Sequence, residues 1–169
     1  MIKPRLVIKI KQIKIRKRRP TKPSRLLGRF VYLDLIKPSH VLGLEKYFSE
    51  RLTQYFPEQF SSAQEYYSRV VKDKCFGPCE LYTIFHLNSG QPIGCTGFFY
   101  IEPSHKKLDI GGSWIGLNFQ GTAANVESKF LLLKRAFEVL KYKRIGVQGI
   151  ASTIASSLTS GSKFQRTLF

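Results

Sequence analysis

The chain of 169 residues is short of what a disulfide scaffold, a membrane span or a metal centre requires. It holds one Met, one Trp, three His and three Cys. Cys75, Cys79 and Cys95 are an odd set, which argues against a paired disulfide framework. Cys75 and Cys79 enclose Phe-Gly-Pro, a spacing half a zinc site could use, yet no second pair follows and His86 is the only nearby histidine. Isolated thiols, no metal and a reducing cytoplasm are the expectation. No apolar run approaches the roughly 18 residues that cross a bilayer. The N-terminus is basic but has no apolar core with a cleavage site, so no secretory signal is expected.

Acid is also scarce, with 11 Asp and Glu against 28 Lys and Arg, a net charge of +17. The excess is uneven. Residues 1–25 carry eleven basic residues and no acid, leaving 17 basic against 11 acidic in the remainder. The arm Val7-Ile8-Lys9-Ile10-Lys11-Gln12-Ile13-Lys14-Ile15-Arg16 can be read as an RNA- or ribosome-binding extension or as a solvated tail. Pro20 and Pro23 break regular structure after it. The division expected is a basic extension over residues 1–26 and one domain over 27–169. A hydrophobic fraction of 43% is enough for a folded core.

Within that domain, Phe30 to Leu35 has strand composition. Pro38-Ser39 opens a helix, with Ser39 as its cap and Val41, Leu42, Leu44 and Phe48 as its apolar side. Ser62-x-x-Glu65 has capping-box spacing and starts a second helix running to about Val71. Three strands follow, Glu80 to Leu87, Pro92 to Glu102 and Lys107 to Leu117. Their short connections favour an antiparallel meander. Gly111-Gly112 inside the third predicts a bulge or close approach of a ligand. Val126, Phe130, Leu133, Phe137 and Leu140 recur at helical steps and predict a long helix with that stripe inward. Lys143 to Val147 is a further strand. From Gly149 to Ser162 small and hydroxyl residues dominate, with a short helix expected near Ile154-Ala155.

The turn Gln120-Gly121-Thr122-Ala123-Ala124-Asn125 lies between a strand and the long helix. Small residues at a helix start let an anion approach unpaired backbone N–H groups. They serve close packing equally well. The turn lacks the lysine of a P-loop and lacks G-x-G-x-x-G, which argues against a nucleotide triphosphatase and a Rossmann dinucleotide site.

The segment GGSWIGLNFQGTAANVESKFLLLKRAFEVLKYKRI, with the meander before it, resembles the GNAT superfamily of acetyltransferases. Its closest likeness is to the RimJ/RimL-like branch, which acetylates protein N-termini and other amines. The likeness covers roughly Leu27 to Ile145. It implies an α/β fold, a GNAT-like mixed and mostly antiparallel sheet flanked by helices. It implies an acetyl-CoA-dependent N-acetyltransferase acting by direct attack of an amine on the thioester. The turn Gln120, Gly121, Thr122, Ala123, Ala124 and Asn125 would hold the cofactor's pyrophosphate. The strand through Ser113, Trp114 and Ile115 would pair its backbone with the pantetheine arm. A backbone amide of that strand would stabilise the oxyanion. The base would be a carboxylate, with Glu102 and Asp109 as candidates, though strand-end carboxylates are commonly only solvated. Glu127 matches the family's helix glutamate and would also favour the helix dipole. Asn125 could cap the helix or contact phosphate.

Two departures stand out. Ala123 occupies a family glycine position, and a Cβ there is expected to weaken phosphate binding or demand a different φ. No asparagine follows Asn125, and Ser160-Gly161-Ser162-Lys163-Phe164 only faintly echoes the family's last turn. The fold is therefore expected to lack its last strand, as in a decayed or frameshifted reading frame. The rival readings are a GNAT-like binding module with lost chemistry and a protein acting through its basic arm.

Overall fold

The computed structural model describes residues 25–147. The basic arm, the expected helix at Ile154-Ala155 and the expected loss of a last strand all lie outside the described residues. One six-stranded sheet runs β1-β2-β3-β4-β5-β6 in chain order. Its strands are β1 (Arg25–Leu27), β2 (Val31–Leu35), β3 (Glu80–His86), β4 (Pro92–Glu102), β5 (Lys107–Ile115) and β6 (Arg144–Val147). The first five form an antiparallel meander, and β6 joins parallel to β5 after a helical crossover. This is the mixed, mostly antiparallel sheet expected from the sequence. The three-residue β1 was not foreseen, because it is too short to show a period.

Helices α1 (Pro38–Glu45) and α2 (Ala63–Tyr67) cover one face. Helix α3 (Ala123–Lys134) covers the other. Both α2 and α3 end in a wider π-helical turn, at Ser68–Lys72 and Arg135–Val139. Alternation along the strands splits the core in two. Leu33, Ile84, Phe98, Leu108 and Ile110 pack towards α3, whereas Leu81, Cys95, Phe99 and Trp114 pack towards α1 and α2. Cys95 is buried, and Cys75 and Cys79 are half-buried; all three are free thiols, and burial pushes each above the ordinary thiol value.

Several details correct the reading from sequence. The cap of α1 is Lys37 rather than Ser39, because Pro38 takes the first helical position, where its missing N–H costs nothing. Leu42 is 83% exposed, while Val41 and Leu44 are buried. Ser62 does cap α2, accepting from Glu65 N at 3.0 Å, but Glu65 returns to Ser61 rather than to Ser62. The third meander strand stops at Ile115, and Leu117–Phe119 is a 3₁₀ turn.

The largest correction concerns α3. Its buried residues include Ala124, Ser128, Leu131 and Leu132, continued in the π turn by Arg135 and Ala136. The predicted stripe lies on the opposite side: Val126 is 72% exposed, Phe130 59% and Phe137 43%. Leu133 and Leu140 only flank the core. Small residues let the helix sit close to the sheet, and two buried polar positions hide the true face from an apolar count. Arg135 is not a solvated cation at a helix end. It is 2% exposed and donates to Glu80 on β3 at 3.3 Å, and Glu80 also accepts from Tyr82.

Glu127 anchors the other end of α3. Its carboxylate accepts from the backbone N–H groups of Arg29, Phe30 and Val31 at 2.7, 2.7 and 2.8 Å. These are the residues that turn β1 into β2. Burial pushes the carboxyl upward in pKa, but the three amide bonds outweigh it and hold it below the ordinary value. The glutamate is thus tied to the β1–β2 loop.

Candidate functional site

The site grows out of β5. Its first half, Lys107 to Ile110, is paired on both edges, with β4 and with β6. Among the described residues, pairing with β6 ends at Ile110, opposite Val147. The second half, Gly111 to Ile115, keeps β4 but has no described β6 partner. The register against β4 shifts here, between Cys95 and Gly97. Gly112 takes φ +57, so the expected bulge is present.

The bulge is crowded. A Cβ on Gly112 would sit 2.5 Å from Phe99 Cζ and 3.0 Å from the Tyr66 hydroxyl. Tyr66, buried under α2, donates its O–H to Gly112 O at 2.7 Å. Burial pushes the phenol well above its ordinary pKa, so it stays a donor. On the opposite face Ser113 points towards α3. Its Oγ lies 2.8 Å from Thr96 Oγ1 on β4 and 3.1 Å from Gly111 O. Lys129 of α3 donates to Thr96 Oγ1 at 2.9 Å and also to Ser113 Oγ. Burial pushes the Lys129 amine down to about 7. Reading from sequence missed Lys129. One lysine in a helix carries no signal until the hydroxyls opposite it are known.

Beyond β5 the chain turns into α3. Gly121 takes φ +73 and has open space where a Cβ would stand. Gln120, Gly121, Thr122, Ala123 and Asn125 are exposed, while Ala124 is buried against the sheet. Thr122 caps α3: its Oγ1 accepts from Ala124 N at 3.3 Å and donates to Phe119 O at 2.7 Å. Asn125 therefore does not cap the helix; its carbonyl accepts from Ser128 Oγ. Gln120 is held back by its side-chain amide, which donates to Ile115 O at 3.2 Å. Ala123 is the first residue of α3, and its φ is not among the positive values. The backbone freedom in this turn is needed at Gly121, so Ala123 carries no strain. No acid stands in the first turn of α3, and of its N–H groups that of Ala124 is taken by Thr122.

The side chains of Trp114 and Ile115 are buried. Trp114 meets Phe48 and Tyr66 edge-on, at centroid distances of 5.2 and 6.1 Å. Any contact from these two residues to a ligand at the strand edge runs through backbone. Ser113 to Asn125 run from the end of β5 into the start of α3, with Trp114, Ile115, Gly116 and Ala124 buried and Leu117, Asn118 and Gln120 to Ala123 exposed. The structure places Glu102 at the other end of β5, on the hairpin between β4 and β5. There Glu102 bonds His105 and Lys107 at 3.1 and 3.4 Å, and the His105 bond, then Lys107, lowers its pKa. At roughly 3.3 Å per strand residue, the position opposite Glu102 lies on the order of 20 Å from Ser113. Asp109 lies further along β5, with its carboxylate over Gly146 of β6. Among the described residues, no group of three or more His, Cys, Asp or Glu could hold a metal, and no helix is long and apolar enough to cross a membrane.

No protein-family model matches the chain, and no curated protein matches it. Solved structures do, and the fold they share with this chain is that of the GNAT acetyltransferases. A candidate acetyltransferase from T. thermophilus superposes with a TM-score of 0.62 at 26% identity, over 74% of this chain and 66% of that one. A candidate acetyltransferase of the GNAT family from Chromobacterium violaceum gives 0.66 at 22% identity, over 86% of this chain and 75% of its own. A candidate ribosomal-protein-serine acetyltransferase from Vibrio cholerae gives 0.59 at 18% identity, over 79% and 78%. The chain spans 64%, 60% and 66% of the length of three of the structures it matches.

Proposed function

We propose that this chain is an acetyl-CoA-dependent N-acetyltransferase of the GNAT type, with a RimJ/RimL-like acceptor chemistry. The observation that carries this reading is the bulge of β5 at Gly112, which leads through a 3₁₀ turn into the largely exposed helix start Gln120 to Asn125. Such a surface suits a long ligand with an anionic middle and an extended amide arm. The first-turn N–H groups of α3 and the open backbone at Gly121 would receive the pyrophosphate. The β5 edge from Ser113 to Ile115 would bond the pantetheine amides through backbone. Bound acetyl-CoA would supply an activated acyl carbonyl for direct attack by an amine, with the C–S bond breaking and CoA leaving as the thiolate. A backbone N–H at the bulge would meet the developing oxyanion. The attacking nitrogen must shed a proton, and of the two candidate carboxylates Asp109 lies further along β5 towards the open half, with Glu102 held by His105 and Lys107.

The acceptor is proposed as a primary amine, either a protein N-terminus or a small amine. The fold shared with a candidate ribosomal-protein acetyltransferase supports the protein acceptor. The cytoplasm, where acetyl-CoA and such acceptors meet, is the proposed compartment. The test is calorimetric titration of the full chain with acetyl-CoA. Saturable heat with a rise in melting temperature is expected, since a ligand that binds only the folded state stabilises it. Neither heat nor shift at millimolar acetyl-CoA would sink the enzyme reading and leave the binding-module rival, with RNA as its first ligand to try.

A further inference from the structure

Lys129 is hard to account for as a structural residue. An amine moved from water into a helix–sheet interface loses solvation, and its removal is often neutral or stabilising when an apolar residue fills the space. Among the described residues the amine has no carboxylate partner. It meets two hydroxyls, Thr96 Oγ1 and Ser113 Oγ, which also bond each other. The donor count closes: the amine donates to both oxygens, Thr96 O–H can turn to Ser113 Oγ, and Ser113 O–H can turn to Gly111 O at 3.1 Å. A neutral amine fits this arrangement with no N–H left over, in keeping with an amine that burial pushes to about 7.

The cluster also has a particular place. It touches β5 at Ser113, immediately after the one glycine of that strand with positive φ. From the opposite layer Tyr66 holds the same peptide by its oxygen. A trans peptide keeps its C=O and N–H antiparallel. The bond from Tyr66 to Gly112 O therefore also sets the direction of the Ser113 N–H, while Lys129 fixes the Ser113 side chain on the other side. The Gly112–Ser113 peptide is held from both layers of the fold, two residues beyond the last described pair of β5 with β6.

We infer that Lys129 and Tyr66 are positioning residues, a two-sided clamp that orients the Gly112–Ser113 peptide towards the acyl carbonyl of the thioester. Neither touches the substrate. Lys129 does a second thing, because it stands on α3, the helix whose first turn is the proposed pyrophosphate site. One side chain thereby fixes the spacing between the phosphate end and the acyl end of the same ligand. The inference rests on the acetyl-CoA reading above.

The test uses the full chain, as wild type, Lys129→Met and Tyr66→Phe, titrated with acetyl-CoA and with free CoA. Free CoA keeps the pyrophosphate and pantetheine and lacks only the acyl carbonyl. Urea unfolding of each variant is measured alongside. The clamp predicts that Lys129→Met loses at least ten-fold in acetyl-CoA affinity and less than three-fold in CoA affinity, with stability kept or raised. Tyr66→Phe deletes one oxygen and should show the same selective loss, which keeps the test available if Lys129→Met fails to fold. Equal losses for both ligands, or none for either, overturn the clamp while leaving the cofactor reading intact. A wild type that binds neither ligand overturns the cofactor reading and the clamp together.

Discussion

The two halves of β5 differ in residues and in what holds them. Lys107 to Ile110 is an ordinary interior strand: it is bonded on both edges, and Leu108 and Ile110 are buried beneath α3. Gly111 to Ile115 has β4 as its one strand partner among the described residues, and side chains hold it and the turn that follows. Tyr66, Thr96, Lys129 and Gln120 all bond it. A paired strand needs no help to stay in place. Buried polar groups from both layers fix this stretch from above and below.

This contrast can be broken in measurable ways. Leu108→Ala should be the most damaging change, at about 2–5 kcal/mol, since it empties a fully buried position in the paired half. Its folded fraction should bind acetyl-CoA as wild type does. Gly112→Ala should cost about 2–4 kcal/mol through its φ of +57 and the Phe99 ring 2.5 Å from the new Cβ. Unlike Leu108→Ala, it should abolish acetyl-CoA binding in protein that still folds. Urea unfolding with calorimetry of each variant decides both. A Leu108→Ala protein that folds but cannot bind would erase the distinction between the halves.

A smaller effect is expected at Glu127, which anchors α3 without touching the open half. Glu127→Gln should lose about 1–3 kcal/mol, because three amides lose a charged acceptor. The sign of its pH dependence follows from the lowered pKa. The folded carboxyl titrates below its unfolded value of 4.5, so its contribution is complete above that pH and fades as pH falls through the folded value. The stability gap between wild type and Glu127→Gln should therefore narrow on acidification, as denaturation midpoints across that range would show. Phe130→Ser should be the mildest change, within about 0.5 kcal/mol, because Phe130 faces solvent. A loss of several kcal/mol there would mean that the outer side of α3 is covered after all.

That last case shows where sequence was readable. The meander was legible because alternation and turn residues are local signals, and Pro92 to Glu102 was bounded correctly on them alone. The bulge at Gly111-Gly112 and the cap-like turn at Gly121 were legible for the same reason. The inward face of α3 was not. Val126, Phe130 and Phe137 point outward, and its inward positions are Ala124, Ser128, Arg135 and Ala136 beside Leu131 and Leu132. Whether Arg135 can be buried depends on Glu80, 55 residues away on β3, and whether Lys129 matters depends on Thr96 and Ser113. Polar clusters assembled from distant strands leave no periodic trace. The strain feared at Ala123 dissolved once the helix start was placed at that residue.

The Glu127 carboxylate has one more consequence, for the order of events when the chain is made. The amides it holds lie 96 to 98 positions earlier in sequence. As synthesis proceeds from the N-terminus, the β1–β2 hairpin emerges before every other described element, yet the acceptor for its loop amides is absent until α3 follows. Contacts of such long separation are slow to find each other and are made late. The hairpin is thus born early and locked late, and a chain halted anywhere before Glu127 would carry its loop amides unfastened.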